Sequence, residues 1–212
     1  MREVSVMRCF RVLMVGAMLL GVLALGASAQ DKPLTFHVGA GYAKLLEDDA
    51  PGGSIGLTGG VIYNLEKPEG FAIGGEAGYL MLGKEEEEYN DDEFDVSVKS
   101  EAKLSVIPIT AQGYYMVPMD GSLAPFLTLG LGFYNVRASV KVEVDSGNPV
   151  IDDMLSIDDS DSETKLGMNF GGGLKFGAAD ARVRFGADAR YHIVMTDVEN
   201  TDVLTLMGRV YF

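Results

Sequence analysis

The stretch from Glu163 to Ile193, ETKLGMNFGGGLKFGAADARVRFGADARYHI, decides the fold. Alternate residues are Thr164, Leu166, Met168, Phe170, Gly172, Leu174, Phe176 and Ala178. Between them lie Glu163, Lys165, Gly167, Asn169, Gly171, Gly173, Lys175 and Gly177. One set is almost wholly apolar and the other is polar or glycine. A short Ala-Ala-Asp-Ala turn follows and the pattern restarts. Val183, Phe185, Ala187, Ala189, Tyr191 and Ile193 then alternate with Arg182, Arg184, Gly186, Asp188, Arg190 and His192. Side chains on a strand alternate faces, so this is a hairpin with one apolar and one charged face. The charged face is also the glycine-rich one, which suits a crowded interior, while the apolar face carries the bulk. That inversion is the pattern of a barrel in a membrane, with apolar residues on lipid and polar residues in the lumen. Such a sheet must close, because an open edge in lipid leaves backbone groups unpaired.

The rest of the chain supplies six more alternating segments. Leu34–Ala43 places Phe36, Val38 and Tyr42 on one face and His37, Gly39 and Gly41 on the other. Ser54–Leu65 and Phe71–Leu82 follow, joined by the turn Glu66–Gly70, with Glu76 on the inner face of the third strand. A long acidic loop is expected over Gly83–Ser100, then a fourth strand to Met116, in which Pro108 marks a bulge or a break in pairing. The fifth strand starts near Leu123. Its apolar set changes phase near Asn135, through either a bulge or a continuation above the membrane. A second acidic loop is expected over Asp145–Ser162, and Val203–Phe212 is the eighth strand. Short turns and longer loops alternate strictly, as an up-and-down barrel with both termini on one side requires. Two rings of outward aromatics fit interfacial girdles: Tyr63, Phe71, Tyr115 and Phe176 with Phe212 below, and Tyr42, Tyr79, Phe133 and Tyr191 above.

The N-terminus reads as a secretory signal peptide over residues 1–29. Arg2, Arg8 and Arg11 precede the apolar run Val12–Leu25, and Ala27-Ser28-Ala29 is a small-x-small cleavage signature. The barrel domain is then residues 30–212. The single cysteine, Cys9, falls in the leader, so the mature chain has no disulfide, thiolate metal site or cysteine nucleophile. The formal net charge of −14 makes nucleic acid an unsuitable partner.

Three further segments carry a resemblance. Ser105-Val106-Ile107-Pro108-Ile109-Thr110, running on to Tyr114-Tyr115, resembles the fourth-strand pattern of small Gram-negative outer-membrane β-barrel proteins. So does Ala124-Pro125-Phe126 with Gly130-Leu131-Gly132-Phe133-Tyr134, and the close Arg209-Val210-Tyr211-Phe212 is similar to their C-terminal signature. The fold class expected is all-β: an eight-stranded antiparallel up-and-down transmembrane β-barrel preceded by a cleavable signal peptide. The resemblance implies residence in the outer membrane among lipid and lipopolysaccharide, with both termini periplasmic. It also implies assembly by the β-barrel insertion machinery, with Phe212 as the terminal aromatic that machinery reads.

Candidate chemistry is sparse. Glu76, Lys175, Arg184, Asp188, Arg190 and Arg209 all face the lumen, where an interior just wide enough for side chains favours an internal salt-bridge network over a pore. His37 and His192 are the only imidazoles. A rim enzyme would need His192 with Asp197 and Ser160 or Ser162, a weak constellation, so no catalytic residue, cofactor or metal ligand is assigned. Clustered loop carboxylates could take divalent cations, although no EF-hand spacing is present. The expected function is a non-enzymatic envelope-structural or surface role, with minor small-solute transport as an adjunct. The alternative is a soluble lipocalin-like carrier barrel, which would turn the apolar face inward.

Overall fold

A computed structural model describes residues 34–47, 52–91, 96–119, 121–145, 156–178, 181–196 and 200–212. The expected leader, residues 1–29, lies outside them. Eight strands form a closed barrel in sequence order: β1 (Leu34–Leu45), β2 (Ser54–Asn64), β3 (Phe71–Asp91), β4 (Val96–Met116), β5 (Leu123–Asp145), β6 (Ile157–Phe176), β7 (Arg184–Val194) and β8 (Thr201–Tyr211). Every neighbouring pair is antiparallel. The ring closes by pairing β1 with β8 from His37↔Tyr211 to Leu45↔Val203. Phe212 extends that seam: Phe36 N donates to its carbonyl at 3.2 Å and its own N–H donates to Phe36 O at 2.9 Å.

Alternation sets the inside and outside as the sequence reading expects. Ile55, Ile73, Ile109, Leu129, Leu131, Phe133 and Phe185 all stand outward, each more than half exposed. Lys175, Asp188, Arg190 and Arg209 are buried within. A soluble carrier barrel needs the reverse, so the lipocalin-like alternative is overturned. Short turns join the strands at one end. In the β6–β7 connection Gly177 has φ 125°, a left-handed conformation that a residue with a Cβ adopts at a steric cost.

The two acidic segments differ from expectation. Most of Gly83–Ser100 is strand, and only residues 92–95 of that expected loop lie outside the described residues. β3 runs on to Asp91 and β4 begins at Val96, paired without interruption from Gly83↔Leu104 to Asp91↔Val96. Likewise β5 reaches Asp145 and β6 starts at Ile157, so of the expected loop Asp145–Ser162 only residues 146–155 lie outside the described residues. Pairing of β4 with β5 is continuous from Ser97↔Asp145 to Met116↔Phe126, so neither Pro108 nor Asn135 introduces a bulge. On its other side β4 does break pairing at Pro108: the β3–β4 ladder stops at Ala77↔Ile109 and resumes at Leu80↔Val106. The one register shift lies in β3, between Met81 and Gly83. It falls where β3 leaves β2, whose pairing ends at Gly56↔Leu80.

The result is a barrel whose shortest strands are 11 residues long, with β3–β6 prolonged into a four-stranded extension on one side. Pairs directly across a sheet share a face. On the outer face of the extension a charged ladder forms: Lys84 with Glu86 and, at 3.2 Å, Glu101; Lys103 with Glu101; Lys99 with Glu88 at 3.8 Å; Lys141 with Glu143. Lys103, ahead of Lys84, holds the Glu101 carboxyl below its ordinary range. Lys84–Glu101 and Lys99–Glu88 cross between β3 and β4 while the other pairs run along one strand, and together they offset the poor strand propensity of Glu and Lys, so an acidic run can pair as sheet.

Candidate functional site

The interior is built in three layers, all on the inward parity of the strands. The middle layer is ionic. Glu76 comes from β3 and Asp188, Arg190 and Arg209 from β7 and β8, on the facing wall of the ring. Arg190 Nη1 donates to Glu76 Oε1 at 3.0 Å and its Nε to Asp188 Oδ1 at 2.8 Å. Arg209 Nη1 donates to Glu76 Oε2 at 2.6 Å, and its Nη2 reaches Asp188 Oδ1 at 3.3 Å; its Nε also pairs with Asp188 Oδ2. His37 of β1 joins through Nδ1, 2.9 Å from Arg209 Nη1. Two guanidiniums and two carboxylates make the quartet formally neutral. Glycines on the same face leave the room: Gly39 lies beneath Arg209, and Gly171 and Gly173 flank Arg190 and Asp188.

Apolar layers close the quartet off on both sides. Toward the extension, Leu80, Leu82, Val106, Tyr134, Val194, Val203 and Met207 form one buried cluster. Toward the turns, Ile62, Ala72, Tyr114, Phe126 and Tyr211 form another. Sequence reading missed these layers. Each residue alternates in the inward phase, but the outward phase of the same strands is apolar too, so hydrophobicity alone does not separate them.

The other singled-out residues fall as follows. Lys175 is buried in the lower layer, 4.5 Å from the Tyr211 ring centroid and 3.8 Å from Met116 Sδ, a cation held over an aromatic face. Arg184 is half-buried at the start of β7, and the quartet's hydrogen bonds do not include it. Tyr42, Tyr63, Phe71, Tyr79, Tyr115, Phe133 and Phe176 stand exposed on the outer face and Tyr191 is half-exposed there. Phe71 packs on Tyr115 and Phe170 on Tyr191.

Among the described residues no catalytic geometry is assembled around the imidazoles. His192 is buried between Tyr134 OH at 3.1 Å and Thr205 Oγ1 at 3.2 Å. Its expected partner Asp197 lies outside the described residues, and Ser160 and Ser162 are exposed on the extension. Among the described residues no group of three His, Cys, Asp or Glu side chains could hold a metal ion. The arrangement is therefore an internally neutralised quartet packed between two buried hydrophobic clusters, with the β3–β6 extension beyond one of them.

Comparison with known proteins agrees with this architecture. The profile of the outer membrane protein beta-barrel domain matches residues 15–209. A major outer membrane protein from Thermus thermophilus shares the fold at a TM-score of 0.51 and 11% identity, covering 85% of this chain and 100% of its own. Neisserial surface protein A is similar at a TM-score of 0.49, with 16% identity over 85% of this chain and 96% of that one. Ail, the attachment invasion locus protein of Yersinia pestis, in complex with the heparin analogue sucrose octasulfate, is similar at a TM-score of 0.48 and 15% identity, covering 84% and 97%. No curated protein matches the chain. An eight-stranded ring with apolar residues outside, charges inside and a family match spanning nearly the whole sequence leads to one assignment: this chain belongs to the outer-membrane protein β-barrel family of the Gram-negative envelope.

Proposed function

We propose that this protein is a closed membrane anchor that presents a rigid β-sheet beyond the bilayer, and that its work is structural or adhesive at the envelope surface. The observation that carries this reading is the sealed lumen. A neutral quartet of Glu76, Asp188, Arg190 and Arg209 sits between two apolar clusters, and the polar side chains beside it are buried and bonded to one another, His192 with Tyr134 and Thr205 and Gln112 with Thr110 and Thr128. Transport of small solutes is disfavoured for the same reason. The buried histidines serve the packing of the lumen, consistent with a non-enzymatic role.

In this reading the mature chain begins after Ala29, both termini and the short turns face the periplasm, and the extension of β3–β6 stands outside the cell. The outward aromatics Tyr42, Tyr63, Phe71, Tyr79, Tyr115, Phe133, Phe176 and Tyr191 ride at the two lipid interfaces. Phe212, hydrogen-bonded to Phe36, is the assembly signal offered to the insertion machinery. Divalent cations bridge the acidic segments to lipopolysaccharide phosphates where the two approach. The acidic extension makes a polyanion such as the heparin analogue bound by Ail a poor partner here.

Planar-bilayer recording tests the sealed lumen. Purified protein should give no large, stable single-channel conductance, and a steady open level would overturn the proposal. Labelling of a cysteine introduced at Ser139 by a membrane-impermeant maleimide on intact cells tests orientation. Labelling only after permeabilisation reverses the topology.

A further inference from the structure

The register shift in β3 sorts the charges of the extension. Above it, Lys84, Glu86 and Glu88 fall on the outer face with Lys103, Glu101 and Lys99, and positive and negative charges there pair with one another. The other face continues the inward parity of the barrel and has a different composition. Its two central strands are apolar apart from Ser100: Ala102 lies opposite Val140, Ser100 opposite Val142 and Val98 opposite Val144. Val140 is 47% exposed, and at the flanks Tyr89 and Ile157 are 66% and 55% exposed, so the upper part of this face is not covered by any described residue. The lower part is covered, because Leu104 and Val136 pack on the cluster that caps the lumen.

Acidic margins border the apolar strip on both sides. Glu85 and Glu87 of β3 lie across from Ala102 and Ser100 on this face. Asp159 and Asp161 of β6 lie across from Val140 and Ala138 on the same face. Nearby Lys165 is held by Glu163 at 2.5 Å. So the outer face neutralises itself and the excess negative charge of the extension borders the valines. Protection of the free edges of β3 and β6 from strand addition explains charge on those strands. It does not explain a row of valines on the two strands between them, exposed at Val140 and half-exposed at Val98, Val142 and Val144, where apolar groups in a contiguous patch mark an interaction surface.

We infer that the inward-parity face of the β3–β6 extension is a docking surface for a cationic, amphipathic polypeptide segment. Its apolar side would lie on Val140, Val142 and Val144, and its Lys or Arg side chains would reach Glu85 and Glu87 on one margin and Asp159 and Asp161 on the other. Charge complementarity selects this occupant. A second copy of the chain would set acidic margin against acidic margin, and a polyanion would meet the same repulsion. The inference rests on the reading of the extension as a presented surface, and it adds the site and the partner chemistry.

The test uses the full barrel in phosphatidylcholine nanodiscs, with empty nanodiscs as the blank. The probe is a Lys/Leu amphipathic peptide, compared with a Glu/Leu peptide of the same pattern. The Lys/Leu peptide should bind, weakening as salt is raised, and the Glu/Leu peptide should not. Val140→Thr with Val142→Thr keeps strand propensity and removes the apolar strip. Glu85→Gln, Glu87→Gln, Asp159→Asn and Asp161→Asn together remove the margins. Each set should weaken binding about tenfold, whereas Glu86→Gln with Lys141→Gln on the other face should leave it within about twofold. Heat-modifiable gel migration of every variant confirms a closed barrel. Equal binding of the two peptides, equal loss from the outer-face pair, or no loss from either inward-face set overturns the inference. So does self-association of nanodiscs in place of peptide binding. Binding to purified barrels but not to intact cells sustains the docking face and refutes the surface orientation. Surface labelling at Ser139 without peptide binding does the opposite.

Discussion

Replacing Glu76 with Ala should strongly weaken the barrel. Glu76 accepts from Arg190 Nη1 at 3.0 Å and from Arg209 Nη1 and Nη2 at 2.6 and 3.4 Å, and it is almost fully buried. Without it the quartet becomes a triad with one excess positive charge, held by Asp188 alone between apolar layers. Breaking a buried pair by removing one partner costs roughly 3–5 kcal/mol, because the remaining charge stays desolvated. Glu76→Gln keeps the shape and one acceptor, so its cost should fall lower, about 1.5–3 kcal/mol, the range for hydrogen bonds to charged groups. Arg190→Leu in the Glu76→Ala background restores neutrality with Asp188 and Arg209 as the surviving pair. The double variant should therefore be more stable than the sum of the single effects allows, by a coupling of about 1–3 kcal/mol. Urea unfolding of the four proteins in lipid vesicles, followed by heat-modifiable migration and tyrosine fluorescence, measures the cycle. A loss below about 1 kcal/mol for Glu76→Ala, or additive single effects, would refute the picture of a dry, mutually neutralised quartet.

Further outcomes follow from other parts of the structure. Deleting Phe212 removes two backbone hydrogen bonds at the β1–β8 seam together with one ring, and should lower outer-membrane levels far beyond the few kcal/mol of lost burial; unchanged levels and heat-modifiability would remove its assembly role. Gly41→Ala should block folding, because a Cβ there meets the backbone of β8 with Met207 Cα at 2.8 Å, whereas Gly113→Ala on the outer face has 3.7 Å to Leu129 O and should fold normally; the check is folded yield. Acidification should loosen the outer ladder of the extension. Glu101 has a depressed carboxyl pKa, so its contribution is present at neutral pH and is lost as pH falls through that lowered value; protease resistance of the extension reports it, and no change on acidification would count against the ladder.

Much of this architecture is legible in the residues, and the parts that are not have physical causes. Strands such as Phe176 back to Leu166 read clearly because bulky apolar residues alternate with glycine and charge. Glu76, Asp188, Arg190 and Arg209 are visible as inward charges for the same reason, but their partnership is not. Which of Arg184, Arg190 and Arg209 meets Glu76 depends on height along tilted strands and on the ring order, which alternation does not encode. The extension escapes a sequence reading because Glu85 to Glu88 have the composition of a solvated loop. Their strand conformation comes from pairing with β4, a different segment, where Lys99 meets Glu88 and Glu101 meets Lys84. The shift of apolar phase at Asn135 is legible but ambiguous. The strand stays in register, and what changes is its surroundings, from lipid outside Phe133 to the capped lumen inside Val136.

The hydrogen-bonded ring is complete without the extension. β2 parts from β3 after Gly56↔Leu80, and β7 parts from β6 after Gly167↔Val194, while β1 and β8 have already closed the circle. Everything above that level hangs from four strands and contributes no rung to closure. Drift in those residues can therefore proceed under selection by whatever the sheet meets outside, without endangering insertion. Grafting the tip hairpins of a relative onto this rim should give a chimaera that still assembles, with the cylinder and its crown free to change independently.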